Sequence, residues 1–307
     1  MNSMLLQINY HPEKRCAMFS QQLVNGITAG GMYALIALGY TMVYGILKII
    51  NFAHGDIFMI GSFIGLILVK QVHLGLIPAM LISMLIVALL GIVVERIAYR
   101  PLRNSAKIAP LLSALGVSIF LTNFAQLVWG TQTRAFPSSF QITTFQVGNV
   151  ALSSMQIYTL LISILLMVGL YLFVQKSKLG VAMRATSHSV ENARLMGINV
   201  DNIISLTFGI GSALAAAAGI LVGLYYDAVY PVMGYTAGLK AFTAAVLGGI
   251  GSIPGAMLGG LLLGVFENLG AAYLSMGYRD AIAFGLLIII LLIKPTGLLG
   301  KNIQQKV

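Results

Sequence analysis

Cys16–Leu47, CAMFSQQLVNGITAGGMYALIALGYTMVYGIL, runs for 32 residues without a formal charge. About 20 apolar residues in a helix already cross a hydrocarbon core of about 30 Å. The stretch is not alone. Gln71–Val94, Ile108–Thr133 and Asn202–Tyr226 are also uncharged and long enough. Ala135–Gln175 is uncharged too, but Pro137 and the polar run Ser138–Asn149 make its first half a loop, leaving Ala151–Gln175 as the span. The expected fold class is all-α, a polytopic helical membrane protein with about eight transmembrane helices plus broken or re-entrant segments.

Composition agrees. Of 307 residues 58% are hydrophobic and 8% charged, against about 25% charged in soluble domains. A soluble surface so poor in charge would aggregate, which leaves lipid as the solvent. The net charge of +10 sits in short loops between apolar runs and forms no basic face interleaved with aromatics. Membrane lipid is therefore expected as a partner and nucleic acid is not. Cys16 is the single cysteine, so an intrachain disulfide is excluded. No glycine-rich loop ends in Lys-Ser or Lys-Thr, no HExxH or paired cysteines occur, and His11, His54, His73 and His188 are scattered. No enzymatic activity, cofactor, metal or catalytic residue is expected. Residues 1–16 read as a variable N-terminal extension rather than a removed signal peptide, 17–300 as one transmembrane domain, and 301–307 as a cytoplasmic tail.

Charge sets the orientation. Arg96, Arg100, Arg103 and Lys107 share one loop, and Lys176, Lys178, Arg184 and Arg194 another. Two spans separate them, so both belong on the cytoplasmic side. The loop 131–150, with Arg134 alone, belongs outside. A cytoplasmic tail then requires an even number of passes after Asp201. Ala241–Phe266 must therefore break near Gly248, Gly249, Gly251, Pro254 and Gly255, and broken glycine-rich segments recur along transport paths. Ile57–Val69 and Ala281–Ile293 are too short to span unless flanking charges or polar residues enter the membrane. Gly45–Phe63 and Gly248–Leu263 share an apolar start, a small or polar hairpin and a glycine-spaced continuation. That suggests duplicated halves, or mere likeness of composition.

Asn51, His54 and Asp56 form the densest polar cluster at apolar depth. Such groups face a cavity or a neighbouring helix, or cap the helix that comes after; capping is favoured for Asp56. Glu267 is the most isolated acid, either a polar contact in the path or an interface acid reaching water. Thr243 and Lys240 flank the start of the broken segment, and Lys240 reads as an interfacial anchor. Asn51, His54, Asp56, Thr243, Gly248, Gly249, Gly251 and Glu267 are the candidates for a path or gate. Tyr225, Tyr226 and Asp227 suggest an outer aromatic belt. The loop Lys176–Asp201 is long and basic, with apolar positions fit for short amphipathic helices and a glycine stop at Gly197. It suits docking of a cytoplasmic partner, or lies on anionic lipid.

GVAMRATSHSVENARLMGIN, within that loop, resembles the cytoplasmic loop of permeases of branched-chain amino acid ABC importers. GMYALIALGYTMVYGILKIINFAHGDIFMIGSF, ERIAYRPLR, LKAFTAAVLGGIGSIPGAMLGGLLLG and KPTGLLG resemble the LivH-type permease in the same order, over about residues 18–300. The resemblance implies a permease of the cell inner membrane. Its implied partners are a second homologous permease, two cytoplasmic ABC ATPases, and a periplasmic binding protein that delivers leucine, isoleucine or valine. It implies that Gly180, Arg184, Ala185, Glu191, Ala193, Leu195 and Gly197 belong to the loop contacting an ATPase. It places Asn51, Ala53, His54 and Gly55 in an intramembrane hairpin, where Asp56 keeps the usual acidity. Urea, short-amide and sugar ABC permeases share much of the pattern. A stand-alone secondary transporter or channel is the alternative of another class, but it needs intramembrane charge pairs, which the sequence barely offers, and gives the loop no purpose.

Overall fold

The computed structural model describes residues 12–300 apart from 104, 107, 138–142 and 149; the tail 301–307 and most of the extension 1–16 lie outside the described residues. The charge-free stretches become helices: α1 (Pro12–Leu47), α2 (His54–Lys70), α3 (Leu76–Val94), α4 (Ile108–Trp129), α5 (Ser154–Lys176), the short α6 (Lys178–His188) and α7 (Val190–Leu195), α8 (Val200–Tyr226), α9 (Met233–Gly248), α10 (Ile253–Tyr273) and α11 (Arg279–Ile293). Among the described residues seven helical stretches are long and apolar enough to cross a membrane. The helices α2 and α9, of 17 and 16 residues, fall short of that length.

One expectation needs correction. The polar run before α5 is not all loop: Thr144–Val147 and Val150–Ser153 pair as an antiparallel hairpin. Ser153 then starts α5 with a capping box, its hydroxyl accepting from the Gln156 backbone while the Gln156 side chain accepts from the Ser153 N–H. That reciprocal pair satisfies two N–H groups that a helix start leaves open.

Gln21 bonds Ala151 in both directions and Asn25 accepts from Gln156, so α1 begins beside the 131–150 loop. Asp201 is held by Arg100 and Arg103, so α8 begins on the opposite side and runs against α1. The two are the central helices: 83% of the most apolar window of each is buried, against 33% or less for α3, α4, α5 and α11. The outer faces of those four carry exposed leucines, isoleucines and phenylalanines, as lipid requires.

The structure contains two matching halves, but in a different register from the one the sequence suggested. A constant spacing of 179 residues relates Thr28 to Thr207, Gly30 to Gly209, Leu35 to Leu214, Gly55 to Gly234, and Tyr99–Arg100 to Tyr278–Arg279. It matches α1 to α8, α2 to α9 and α3 to α10. Both first helices end on a non-glycine residue with left-handed backbone, Lys48 (φ 56°) and Asp227 (φ 50°). In both, the next helix starts six residues later. Gly45–Phe63 therefore corresponds to residues 224–242, not to Gly248–Leu263. Glycine-rich composition drew the sequence comparison to the wrong partner.

The repeats are inverted, because α1 and α8 run oppositely. Each places a half-helix start inside the bundle. After Leu47 the chain turns back, so that His54 lies against Gly39, which itself packs on Gly211, near the middle of α1 and α8; from Leu47 back to Gly39 is about 12 Å of helix. Gly234 meets Gly55 at the same depth, each where the other's side chain would stand. Equivalent residues touching each other mark an isologous contact on a two-fold axis. Any larger residue at either position would collide with backbone, so glycine is required there.

Candidate functional site

At the first break, Leu47 to His54, Asn51 is buried. Its Oδ1 accepts from the Ala53 N–H (3.1 Å) and from the Tyr99 hydroxyl (2.6 Å). The sequence offered path lining or capping for Asn51; the structure makes it the brace of the turn that precedes α2. His54 is buried with its ring edge-on to Tyr40 at 4.7 Å. Asp56 lies in the first turn of α2, where it complements the helix dipole. It also accepts from Thr122 Oγ1 of α4 at 2.8 Å, so it ties two helices as well as favouring a helix start. Asn51 Nδ2 and Thr41 Oγ1 are buried without a partner among the described residues. Unsatisfied groups of that kind cost about 1–3 kcal/mol each, so the break is held in a conformation that is not polar-satisfied.

At the second break, α9 ends and α10 begins across Gly249–Ser252, with Gly249 and Gly251 at positive φ. The expected interruption is there. Gly248 packs on Gly255, and Leu298 and Leu299 donate to the carbonyls of Leu247 and Gly248. The C-terminal stretch thus closes this hairpin. Thr243 is buried and its hydroxyl donates to the Leu239 carbonyl (3.0 Å). That bond stays within α9 and does not bring Thr243 to Asn51, His54 or Asp56. Gly248, Gly249 and Gly251 belong to the turn rather than to that cluster.

Glu267 corrects the reading of an acid reaching water. It is 1% exposed and accepts from Lys240 Nζ at 3.0 Å, with Arg279 Nε at 3.5 Å. Lys240 also meets Asp280 at 2.7 Å, and Arg279 donates to Asn268 Oδ1 at 2.9 Å. Lys240 is thus no simple interfacial anchor. A second network lies at the far ends of α3 and α8. Asp201 accepts from Arg100 and from Arg103 at 2.7 Å each; Arg103 also reaches Glu95, and Glu95 accepts from Ser205 Oγ at 2.5 Å. Sequence reasoning missed both networks. The available signal was that Lys240 and Glu267 are opposite charges, each isolated in an apolar run.

The loop 176–201 folds as α6 and α7. Gly197, at φ +79°, comes after α7, and Ile198 N–H bonds back to the Ala193 carbonyl, the expected glycine stop. Of the residues singled out there, Gly180 and Ala193 are buried and Ala185 is half-buried. A side chain on Gly180 would strike the carbonyls that end α5. Arg184 is exposed and braces the loop by donating to the Gln175 carbonyl (3.2 Å) and side chain. Glu191 is exposed, and at the tip Leu195 is 84% and Met196 82% exposed. Met196 is one of the loop's apolar positions but was not among the residues that the resemblance assigned to the ATPase contact.

Residues 22–291 match the family described as "Branched-chain amino acid transport system / permease component". The chain is 49% identical to the high-affinity branched-chain amino acid transport system permease protein BraD of Pseudomonas aeruginosa, over 94% of this chain and 98% of that protein. It is 46% identical to the permease protein LivH of Escherichia coli K12 over the same shares. The fructose import permease protein FrcC of Rhizobium meliloti is 28% identical over 60% of this chain and 54% of its own length.

Proposed function

Because this chain belongs to the family of branched-chain amino acid transport permease components, we infer that it builds half of a translocation path in the cell inner membrane. It is the multi-pass membrane subunit of an ABC importer, and in our reading it pairs with a second, related permease. Two cytoplasmic ATPases bind the loop side, and a periplasmic binding protein delivers branched-chain amino acids to the other. The relatives carrying that substrate in their names cover nearly the whole chain, whereas the fructose permease matches over little more than half of it. Path and gate roles fall to the two breaks, around Asn51, His54 and Asp56 and around Gly248, Gly249 and Gly251.

One observation carries the ATPase reading. The loop on the basic side ends in two large apolar side chains, Leu195 and Met196, presented by a capped helix rather than folded inward. Exposed apolar tips on a rigid support suit a protein groove. Affinity for substrate can then reside in the binding protein, while ATPase closure moves the loop as a rigid body.

Purification of the tagged chain from its own membrane is expected to bring down two ATPases and a second permease. Leucine, isoleucine and valine, but not fructose or urea, are expected to compete for ATP-dependent uptake. ATP-independent uptake by the lone chain in liposomes would overturn the reading. Replacing Leu195 and Met196 together by serine is expected to leave insertion intact and weaken ATPase association by about 30-fold or more, the loss of two apolar anchors at about 1 kcal/mol each or above. Unchanged association, measured by titrating the ATPase onto the reconstituted permease, would remove the tip from the interface.

A further inference from the structure

We propose that Tyr99 is a positioning residue, the link by which movement of the cytoplasmic loop reaches the intramembrane break at Asn51. This rests on the reading that an ATPase docks on that loop.

The contacts are continuous. The short α7 leads through Ile198 and Asn199 into α8, and Asp201 lies in the first turn of α8. Its carboxylate is shared between Arg100 and Arg103. Arg103 and Ser205 both engage Glu95, which is fully buried. Three side chains therefore clamp residues 95–103 to the first two turns of α8, the part of that helix nearest the loop. Within the clamp the chain is not α-helical: Glu95–Tyr99 is a π turn and Arg100–Leu102 a 3₁₀ turn.

Tyr99 is the last residue of the π turn and directly precedes the 3₁₀ turn. Its ring is 1% exposed and packs on Phe208 with centroids 5.1 Å apart. Its hydroxyl reaches the Asn51 Oδ1 that also accepts the Ala53 N–H. A π turn holds one residue more than an α turn and recurs at functional sites. Slippage of that residue rotates the chain beyond it by about 100° per position, enough to carry the hydroxyl away from Asn51. In this proposal the element moves between two discrete arrangements, and Asp201 biases it from the loop side. The unpartnered Nδ2 of Asn51 gives the break something to gain by moving. Without Tyr99, the Asn51 turn retains one of the two bonds at its Oδ1.

The test uses the assembled complex in proteoliposomes, with ATP hydrolysis and leucine uptake measured together. Tyr99→Phe keeps the ring on Phe208 and removes only the hydroxyl. It is expected to leave ATP hydrolysis within about twofold while lowering leucine taken up per ATP about fivefold, the scale of one hydrogen bond. Asn51→Leu, which removes the acceptor of the Ala53 N–H as well, is expected to lower the ratio at least as far, and the double variant to be no worse than Asn51→Leu alone. A coupled wild type with an equally coupled Tyr99→Phe variant would overturn this inference alone, as would single-variant losses that multiply in the double. A wild type whose uptake ignores ATP would overturn the ABC reading, and this inference with it.

Discussion

Replacing Gly264 by leucine is expected to abolish accumulation of the protein in the membrane. A Cβ at Gly264 would stand against the Gly30 N and Cα atoms and the Gly26 carbonyl of α1, and these neighbours are backbone. The converse holds at Gly26 and Gly30, which face the α10 backbone at Val265 and Leu261. A crowded side chain can rotate away; a crowded backbone forces whole helices apart. In lipid, helix association draws on close packing rather than on hydrophobic expulsion from water, so separating α1 from α10 removes what holds them. Overpacking of side chains costs about 1–3 kcal/mol, and the backbone collision puts this change at or beyond the upper end. Gly285→Leu is the control, since nothing lies within 4 Å of a Cβ there. Immunoblots of membrane fractions should show the second variant at the wild-type level and the first absent. Equal levels would mean that α1 and α10 can separate without cost to the fold.

Glu267→Leu is expected to cost about 3 kcal/mol and most of the uptake. Removing one partner of a buried pair costs about 3–5 kcal/mol, because a charge is left without compensation. The lower figure applies here, because Lys240 keeps Asp280. The Lys240 side chain is 12% exposed, so water cannot take over the role of Glu267. Replacing Lys240 and Glu267 together by methionine is expected to restore most of the stability, since apolar pairs of similar volume often match or exceed buried ion pairs. The midpoint of thermal unfolding in detergent reads both variants. A double variant as unstable as Glu267→Leu would show that Arg279, at 3.5 Å from the carboxylate, had been the dominant partner.

The spans were legible in the sequence because membrane helices are bounded by charge, and gaps between charges are a local property. The interruption near Gly248 came from parity, since a cytoplasmic tail demanded a second pass, and from the cluster of glycines and Pro254 that placed it. The stop at Gly197 was legible from residue type. What was hidden is relational. Asn51 and Tyr99 lie 48 residues apart, Glu267 and Lys240 lie 27 apart on different helices, and neither pair shares a periodic pattern. The inverted repeat was hidden for another reason. Its halves share few identities, and glycine-rich segments resemble one another wherever they fall, so Gly248–Leu263 outcompeted the true counterpart of the first break. The matched spacing of Tyr99–Arg100 and Tyr278–Arg279 was the available clue, a single dipeptide in a chain of 307 residues.

The contact between Gly55 and Gly234 bears on why this chain moves cargo one way. A scaffold related to itself by a half-turn in the membrane plane has no preferred face: turned over, its backbone is the same object. Vectorial direction must therefore be written in what the half-turn does not preserve. The appended α6 and α7 occur once, on one side only. The arginines of the two Tyr-Arg pairs meet carboxylates that are not equivalent: Arg100 reaches Asp201 on α8, across the repeats, whereas Arg279 lies beside Glu267 on α10, within its own repeat. Import as opposed to export is then decided by the segments that occur once, laid over a frame that is itself indifferent.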